Sequence, residues 1–541
     1  MVESTFATLR VAARPTFVGL SIEPVMSRLA PIALVIACTH PTTPTQRATT
    51  AHQPRLVVLL VIDQLPEWAF EAKRPALTGG FARLLTEGEW HVGRHPSAAT
   101  LTAPGHALLG TGEPTAHSGI LANKWWHREV ARELESTRDA DGNETRAWLR
   151  VPGLGDAIAT RPGAKAVAIS LKDRAAILPL GHRGEAIWYD KALPGWTSLA
   201  PIAWLADWNH AQPIAAHLHD AWTPLDRARL AELSGTVDDQ PGEVGDKGLG
   251  PTFPHAADRT PDPADAIFAM PLGNDLVLDT ATHAIEVEQL GADDTPDLLV
   301  ISLSAYDYIG HGWGHESWEA WDATLRLDAR LATFLADLDR LVPGRWSMIV
   351  TSDHGASPLP ERARGGRITF EALQLAANNA ATAVLGPGTW IDNAHYPNVF
   401  FSKAMLAQPK GELASAEKRV IFGLRAFPGI AQVGRVADYA GHCETRTGDA
   451  FALCLTFDPE RSGDLFYLPA PGWILHGADE HAATSHGSLH DYDRLVPVIL
   501  LDPERRPHAP PDQPGSTIEM VRIAPMLAHW LGVPPPSTLP R

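Results

Sequence analysis

Cysteine is nearly absent, with 3 among 541 residues, too few and too odd a number for a disulfide scaffold. Basic charge is short as well. Lys and Arg total 45 against 63 Asp and Glu, a formal net charge of −18 at pH 7, and so acidic a chain repels a polyphosphate backbone. Nucleic-acid binding through a broad basic face is thereby excluded. No apolar run reaches the ~18 residues of a membrane-spanning helix, and no repeat of solenoid or propeller period is visible. Disorder is excluded in turn, because 45% of the residues are hydrophobic and 20% charged, enough to bury a large core. Glycine and proline are what the chain has in quantity, 44 and 46 residues. They mark long ordered connections rather than low complexity.

The opening segment reads as an export signal, since Met26-Ser27-Arg28 precedes an apolar stretch over 29–37 and then Cys38. LVIAC, residues 34–38, resembles the bacterial lipobox, which implies a lipid on Cys38 and a true start at Met26. A buried apolar segment with an ordinary core cysteine is the other reading. Residues 1–38 are then a mis-assigned start plus signal, 39–54 a Thr/Pro/Gln-rich tether, and 55–541 one catalytic domain. Within it, the apolar runs 56–63, 166–170, 297–303, 346–353 and 496–501 suit parallel strands covered on both faces. Leu327, Leu331, Phe334, Leu338 and Leu341 recur at spacings of four and three and predict a helix that ends before Pro343-Gly344. Strand, helix, strand in that order predicts an α/β fold on a mostly parallel, doubly wound sheet. The stretches of about 175–270 and 398–477, rich in Trp, Pro and polar residues, are expected to be insertions capping that sheet.

Ligands of open parallel sheets bind beyond the carboxyl ends of the strands. Asp63 and Asp353 close two of the runs, and Asp307 follows a third by four residues. His311 and His354 stand close behind two of these carboxylates, and His486 lies in TSHGS before the last run. Carboxylate with imidazole suits zinc or another borderline divalent metal, and the candidates outnumber the needs of one tetrahedral site. Two metals are inferred. Taken singly, a strand-terminal Asp is commonly a cap and a His a hydrogen-bonded residue; their joint succession is what indicates metal binding. Thr102, just before Ala103-Pro104, is predicted at a helix N-terminus, where N–H groups and the dipole favour an anion. The same spacing also describes a plain N-cap threonine. Lys172 and Arg174, after the second run, standing alone read as a solvated salt bridge with Asp173.

Seven motifs then carry a resemblance: VIDQ with Asp63, TAPGH with Thr102, GILANKWW with Asn123, SLKDRAAILPLGH with Lys172 and Arg174, DYIGHGWG with Asp307 and His311, TSDHGA with Asp353 and His354, and TSHGS with His486. In this order the chain resembles the alkaline phosphatase superfamily, and within it the PafA-type alkaline phosphatases that use a threonine nucleophile. The resemblance implies one zinc held by Asp63, Thr102, Asp353 and His354, and a second held by Asp307, His311 and His486. It implies attack by Thr102 on phosphorus, a phosphothreonine intermediate, and contacts from Asn123, Lys172 and Arg174 to the other phosphoryl oxygens. Two cations there reward a dianionic monoester more than a singly charged diester. A zinc-dependent phosphomonoesterase acting on small phosphate monoesters is therefore implied; the alternative is a phosphodiesterase or nucleotide pyrophosphatase of the same superfamily. A sulfatase fits poorly because no cysteine lies near Thr102. Thr100 and His490 compete with Thr102 and His486, and His315 is expected outside the ligand set. Export implies the periplasm, with an anchor on Cys38, and leaves Cys443 and Cys454 to pair there or to remain buried thiols.

Overall fold

The computed structural model describes residues 53–478, 480, 482–502 and 514–539; Cys38, the signal-like segment and most of the tether lie outside the described residues. The run Leu56–Ile62 is a strand in which every residue is buried. Such a strand needs cover on both faces. It pairs in parallel with Asp297–Leu303 on one side and Trp346–Thr351 on the other. Ala166–Ser170 and then Glu185–Asp190 continue the parallel run beyond Asp297–Leu303. Nine strands in all make a large, mostly parallel sheet in an α/β fold. Alternate residues serve opposite layers: Leu56, Val58 and Leu60 face the helices Pro271–Val287 and Trp318–Leu341, while Val57, Leu59 and Val61 face Thr102–Thr111 and Ile523–Leu531. The sheet is doubly wound. Its longest helix starts where the Ser317 hydroxyl accepts from the Ala320 N–H and buries Leu327, Leu331, Phe334 and Leu338 on one stripe.

Two expectations need correction. Leu495–Leu501 is buried as expected but runs antiparallel to both of its neighbours, Trp346–Thr351 and Glu89–Arg94. A continuous apolar run reports burial on two faces and carries no sign of direction. Nor is the whole of 175–270 a cap, because Glu185–Asp190 and Gly195–Ser198 extend the central sheet at its edge. Short edge strands joined by a tight turn leave too few residues for a clear period. Farther along, Trp222, Phe253 and Met270 pack with Trp313 and Trp321 in a cluster of their own.

A second, smaller sheet runs in the order Ile391–Asn393, Asn398–Phe401, Leu465–Pro469, Ile430–Arg435. The helices Phe370–Leu385 and Lys410–Arg425 share its separate hydrophobic core. Cys443 and Cys454 form a disulfide beside it. Among the described residues no helix is long and apolar enough to cross a membrane.

Candidate active site and metal centre

Because the central strands run the same way, their carboxyl ends open on one edge of the sheet. Asp63 directly follows Leu56–Ile62, Lys172 follows Ala166–Ser170 by two residues, and Asp353 follows Trp346–Thr351 by two. Asp307 and His311 sit one turn apart on the helix Ala305–Trp313, and His486 comes from the loop before Leu495–Leu501. The structure brings all of these together. Ligand atoms of Asp307, His311 and His486 lie within 4.8 Å of one another, as do those of Asp63, Asp307 and His354. His354 Nε2 is 3.5 Å from Asp63 Oδ1 and 3.4 Å from Asp353 Oδ2. The two groups therefore abut at Asp307.

Three imidazoles share one arrangement. Nδ1 of His311, His354 and His486 faces the backbone carbonyl of Thr484, Gly355 and Thr100 at 2.9, 3.0 and 2.8 Å respectively. A carbonyl only accepts, so each Nδ1 carries a proton and each ring, when neutral, turns its Nε2 lone pair toward the cluster. Against the effect of burial, Asp307, 3.3 Å from His311 Nε2, favours a second proton on that ring in competition with a metal. Two carboxylate oxygens there are buried and short of donors: Asp63 Oδ1 makes no hydrogen bond, and Asp353 Oδ2 meets only the imidazoles of His106 at 3.2 Å and His354 at 3.4 Å. Charge tells the same story. Burial pushes Asp63 well above the usual carboxylate range, and the charges of Asp353 and Asp307 add to that effect. Asp307 is held well below that range, burial being outweighed by Lys172, His311 and His486. The Lys172 ammonium lies 2.6 Å from both Asp63 Oδ2 and Asp307 Oδ2. One ammonium among three buried carboxylates leaves negative charge that calls for more cations. Oxygens short of donors, imidazole nitrogens turned to the cluster and this deficit fit divalent metal ions.

Thr102 is the first residue of the helix Thr102–Thr111, whose N-cap is Leu101, so the plain N-cap reading of Thr102 does not hold. Its Oγ1 lies 3.5 Å from His354 Nε2. The following N–H, of Ala103, donates to Asn123 Oδ1 at 2.8 Å, which fixes Asn123 beside the helix start. Thr102, Asn123, Arg174, His311 and His486 all line one cavity of about 750 Å³. The buried Nε of Arg174 makes no hydrogen bond among the described residues, and its ion pair with Asp173 is long at 3.9 Å. The salt-bridge reading of Lys172 is replaced by the contacts with Asp63 and Asp307. Thr100 sits behind His486, its carbonyl accepting from that ring and its hydroxyl donating to Ser488 O at 3.2 Å. His490 points away, to Pro469 O at 3.0 Å.

Several residues of the site were not singled out from sequence. His106 lies under Thr102 and Asp353, with Nδ1 2.9 Å from Thr102 O and 3.2 Å from Asp353 Oδ2, and Nε2 2.8 Å from Ser302 Oγ. Its place four residues after Thr102, on the same face of the helix, was a usable signal. Lys247 and Lys172 lie over the Tyr308 ring at 4.7 and 4.8 Å. His395, held by Glu133 at 2.8 Å, forms part of the outer wall with Phe370. Those come from connections without periodicity, where no pattern marks them.

Residues 57–493 match the family model of type I phosphodiesterases and nucleotide pyrophosphatases. The alkaline phosphatase PhoK of a Sphingomonas species is 30% identical over 91% of this chain and 90% of its own. A crystal structure of wild-type alkaline phosphatase PafA superimposes with a TM-score of 0.79 at 26% identity, covering 90% of this chain and 98% of that one. A crystallised variant of PafA, at 26% identity and a TM-score of 0.78 over 90% and 97% of the two chains, has serine for a threonine and alanine for an asparagine, a lysine and an arginine. The replaced threonine and asparagine stand 21 positions apart and the lysine and arginine two, the spacings of Thr102 with Asn123 and of Lys172 with Arg174.

Proposed function

Because the chain belongs to the type I phosphodiesterase/nucleotide pyrophosphatase family of the alkaline phosphatase superfamily and is an alkaline phosphatase-like hydrolase, we propose that it hydrolyses phosphate monoesters at a pair of zinc ions, with Thr102 as nucleophile. One observation carries this reading: three imidazole nitrogens and the donor-poor oxygens of Asp63 and Asp353 converge beside the Thr102 hydroxyl. Asp63, Asp353 and His354, with Thr102 alongside, would hold one ion, and Asp307, His311 and His486 the other. Mixed nitrogen and oxygen donors suit zinc. When bound, the pair supplies Lewis-acid polarisation and neutralises charge on the entering and departing oxygens.

The chain's own groups do the rest. Thr102 Oγ1 attacks phosphorus, the ester oxygen leaves on the opposite side toward the cavity, and water then releases phosphate from the phosphothreonine. The dipole of the helix that starts at Thr102 favours the anion there, while its Ala103 N–H is spent on Asn123. Asn123, fixed by the Ala103 N–H, and the planar fork of Arg174 bind the remaining phosphoryl oxygens. Lys172 offsets part of the charge of Asp63 and Asp307, and bound dications would make the wall facing phosphate positive within an acidic molecule. We place the protein outside the cytoplasm, in the periplasm and anchored through lipid on Cys38. The Cys443–Cys454 disulfide supports an oxidising compartment.

Steady-state kinetics on p-nitrophenyl phosphate and its bis-ester test the substrate class. The wild type is expected to prefer the monoester. A K172A/R174A double variant should lose about 10³-fold in monoester kcat/KM, two charge-assisted contacts' worth, and under ~10-fold on the diester. Faster cleavage of the diester by the wild type would replace this reading with the diesterase that the family's name favours.

A further inference from the structure

We propose that Gln64 is a positioning residue that gathers Asp307 and His311 with its side chain while bracing Asp353 with its backbone, and that His315 sets which way the Gln64 amide faces. The inference rests on the two-metal reading above. Gln64 is fully buried and follows Asp63 at the mouth of the central strand. Its φ is 63°, in the left-handed region that a non-glycine residue rarely occupies unless its surroundings impose it. That turn sends the two arms of one residue to the two halves of the cluster. The backbone N–H donates to Asp353 Oδ1 at 3.2 Å. Side-chain Nε2 donates to Asp307 Oδ1 at 2.7 Å and lies 3.1 Å from His311 Nε2.

An amide has a donor end and an acceptor end, so its orientation matters. A carboxylate accepts, and the end facing Asp307 must therefore be the NH₂ group. Behind it, Gln64 Oε1 lies 2.9 Å from His315 Nε2. His315 is buried, and burial holds its imidazole well below the usual range, so the ring is neutral with a single proton. Facing an acceptor, that proton sits on Nε2 and locks the amide. Room for the pair comes from Gly310, the residue before His311: a Cβ there would clash with Gln64 Oε1 and lie 2.8 Å from the His315 ring. Gly310 and His315 thus specify an amide that touches two ligands of one half, while the backbone N–H of the same residue reaches Asp353 in the other.

Wild type, Q64E, Q64A and H315A, each loaded with zinc, are dialysed against graded chelator and the zinc retained per chain is counted, with unfolding temperature recorded alongside. The wild type should hold two zinc ions. Q64E, which sets an oxygen against Asp307, and Q64A should each lose one ion at roughly 10- to 100-fold lower chelator, the usual cost of an outer partner of a ligand, and keep the other as the wild type does. H315A should weaken the same ion by a smaller factor, and it keeps the test alive if the Gln64 variants do not fold. Retention of both ions as in the wild type, or loss of both together, would overturn the inference. A wild type that never holds two ions would instead overturn the two-metal reading and the inference with it.

Discussion

The two halves of the ligand cluster share Asp307 and almost nothing else. Asp63, Asp353 and His354 are 0% exposed, enclosed by the turns that close the two central strands, whereas the His311 side chain is 25% exposed and faces the cavity together with Asp307 and His486. His354 and His486 meet where the halves join, their rings stacked at 3.7 Å. Different duties follow from different surroundings. The closed half is part of the core, so its charges must be compensated for the sheet to be stable. The open half borders the cavity, the side from which the proposed reaction would release its leaving group and admit water. One face of the cluster is architecture that also does chemistry, and the other is chemistry resting on a helix and a loop.

Three experiments probe that contrast, beginning with the largest expected effect. Replacing Thr102 with Ala removes one hydroxyl from the border of the closed half. Turnover should fall by at least ~10³-fold, as for loss of a nucleophile, with zinc content and unfolding temperature unchanged. Near-normal turnover would move the nucleophile elsewhere. Next, H354A and H311A each remove an imidazole, one from each half. H354A empties a fully buried ring's place in the core and should cost about 2–5 kcal/mol in denaturant unfolding, while H311A, partly solvated, should cost less than ~1.5 kcal/mol. Equal losses would erase the distinction between the halves.

The smallest effect concerns Lys73, which lies behind the open half, its ammonium 2.9 Å from the hydroxyl of Tyr306, the neighbour of Asp307. Burial lowers Lys73 to about 7 despite the opposing charge of Glu316. An unfolded lysine titrates near ~10.4. Between those values the unfolded chain holds the proton and the folded chain does not, so stability rises with pH across the interval. This contribution is complete above ~10.4 and is lost as pH falls through about 7. K73M should flatten the difference in denaturation midpoint between pH 7 and pH 10. An unchanged slope would show that Lys73 keeps its proton.

What could be read from the residues alone follows the same contrast. Asp63 and Asp353 end apolar runs that must be buried strands, so their place at the sheet's carboxyl edge was legible, and the helix behind Asp307 brings His311 one turn on. His486 was legible through its motif and its position before the last strand. The path of that strand was not, because hydrophobicity has no direction. Gln64 was hidden for another reason: its role depends on a left-handed backbone and on Gly310 lacking a side chain, and neither leaves a pattern in composition or spacing. Lys172 was seen as a cation, but its lodging between Asp63 and Asp307 needs three strand ends in register. The cap residues Lys247 and His395 arrive on connections whose course only tertiary packing decides.

The bond from His486 to the Thr100 carbonyl joins residues 386 positions apart, and its companion from Thr100 to Ser488 spans 388. Leu495–Leu501 then lies between Trp346–Thr351 and Glu89–Arg94, so those two strands have no shared partner until the end of the chain is in place. Synthesis runs the other way. A growing chain exposes Asp63, Thr102 and Lys172 long before the loop that completes the cluster exists, and pairings of such long range are the slow part of folding. Leu495–Leu501 is therefore a keystone, and a chain cut short of the loop before it carries neither a closed sheet nor His486. Completeness of the message is written into the geometry, and only a finished molecule can be an active one.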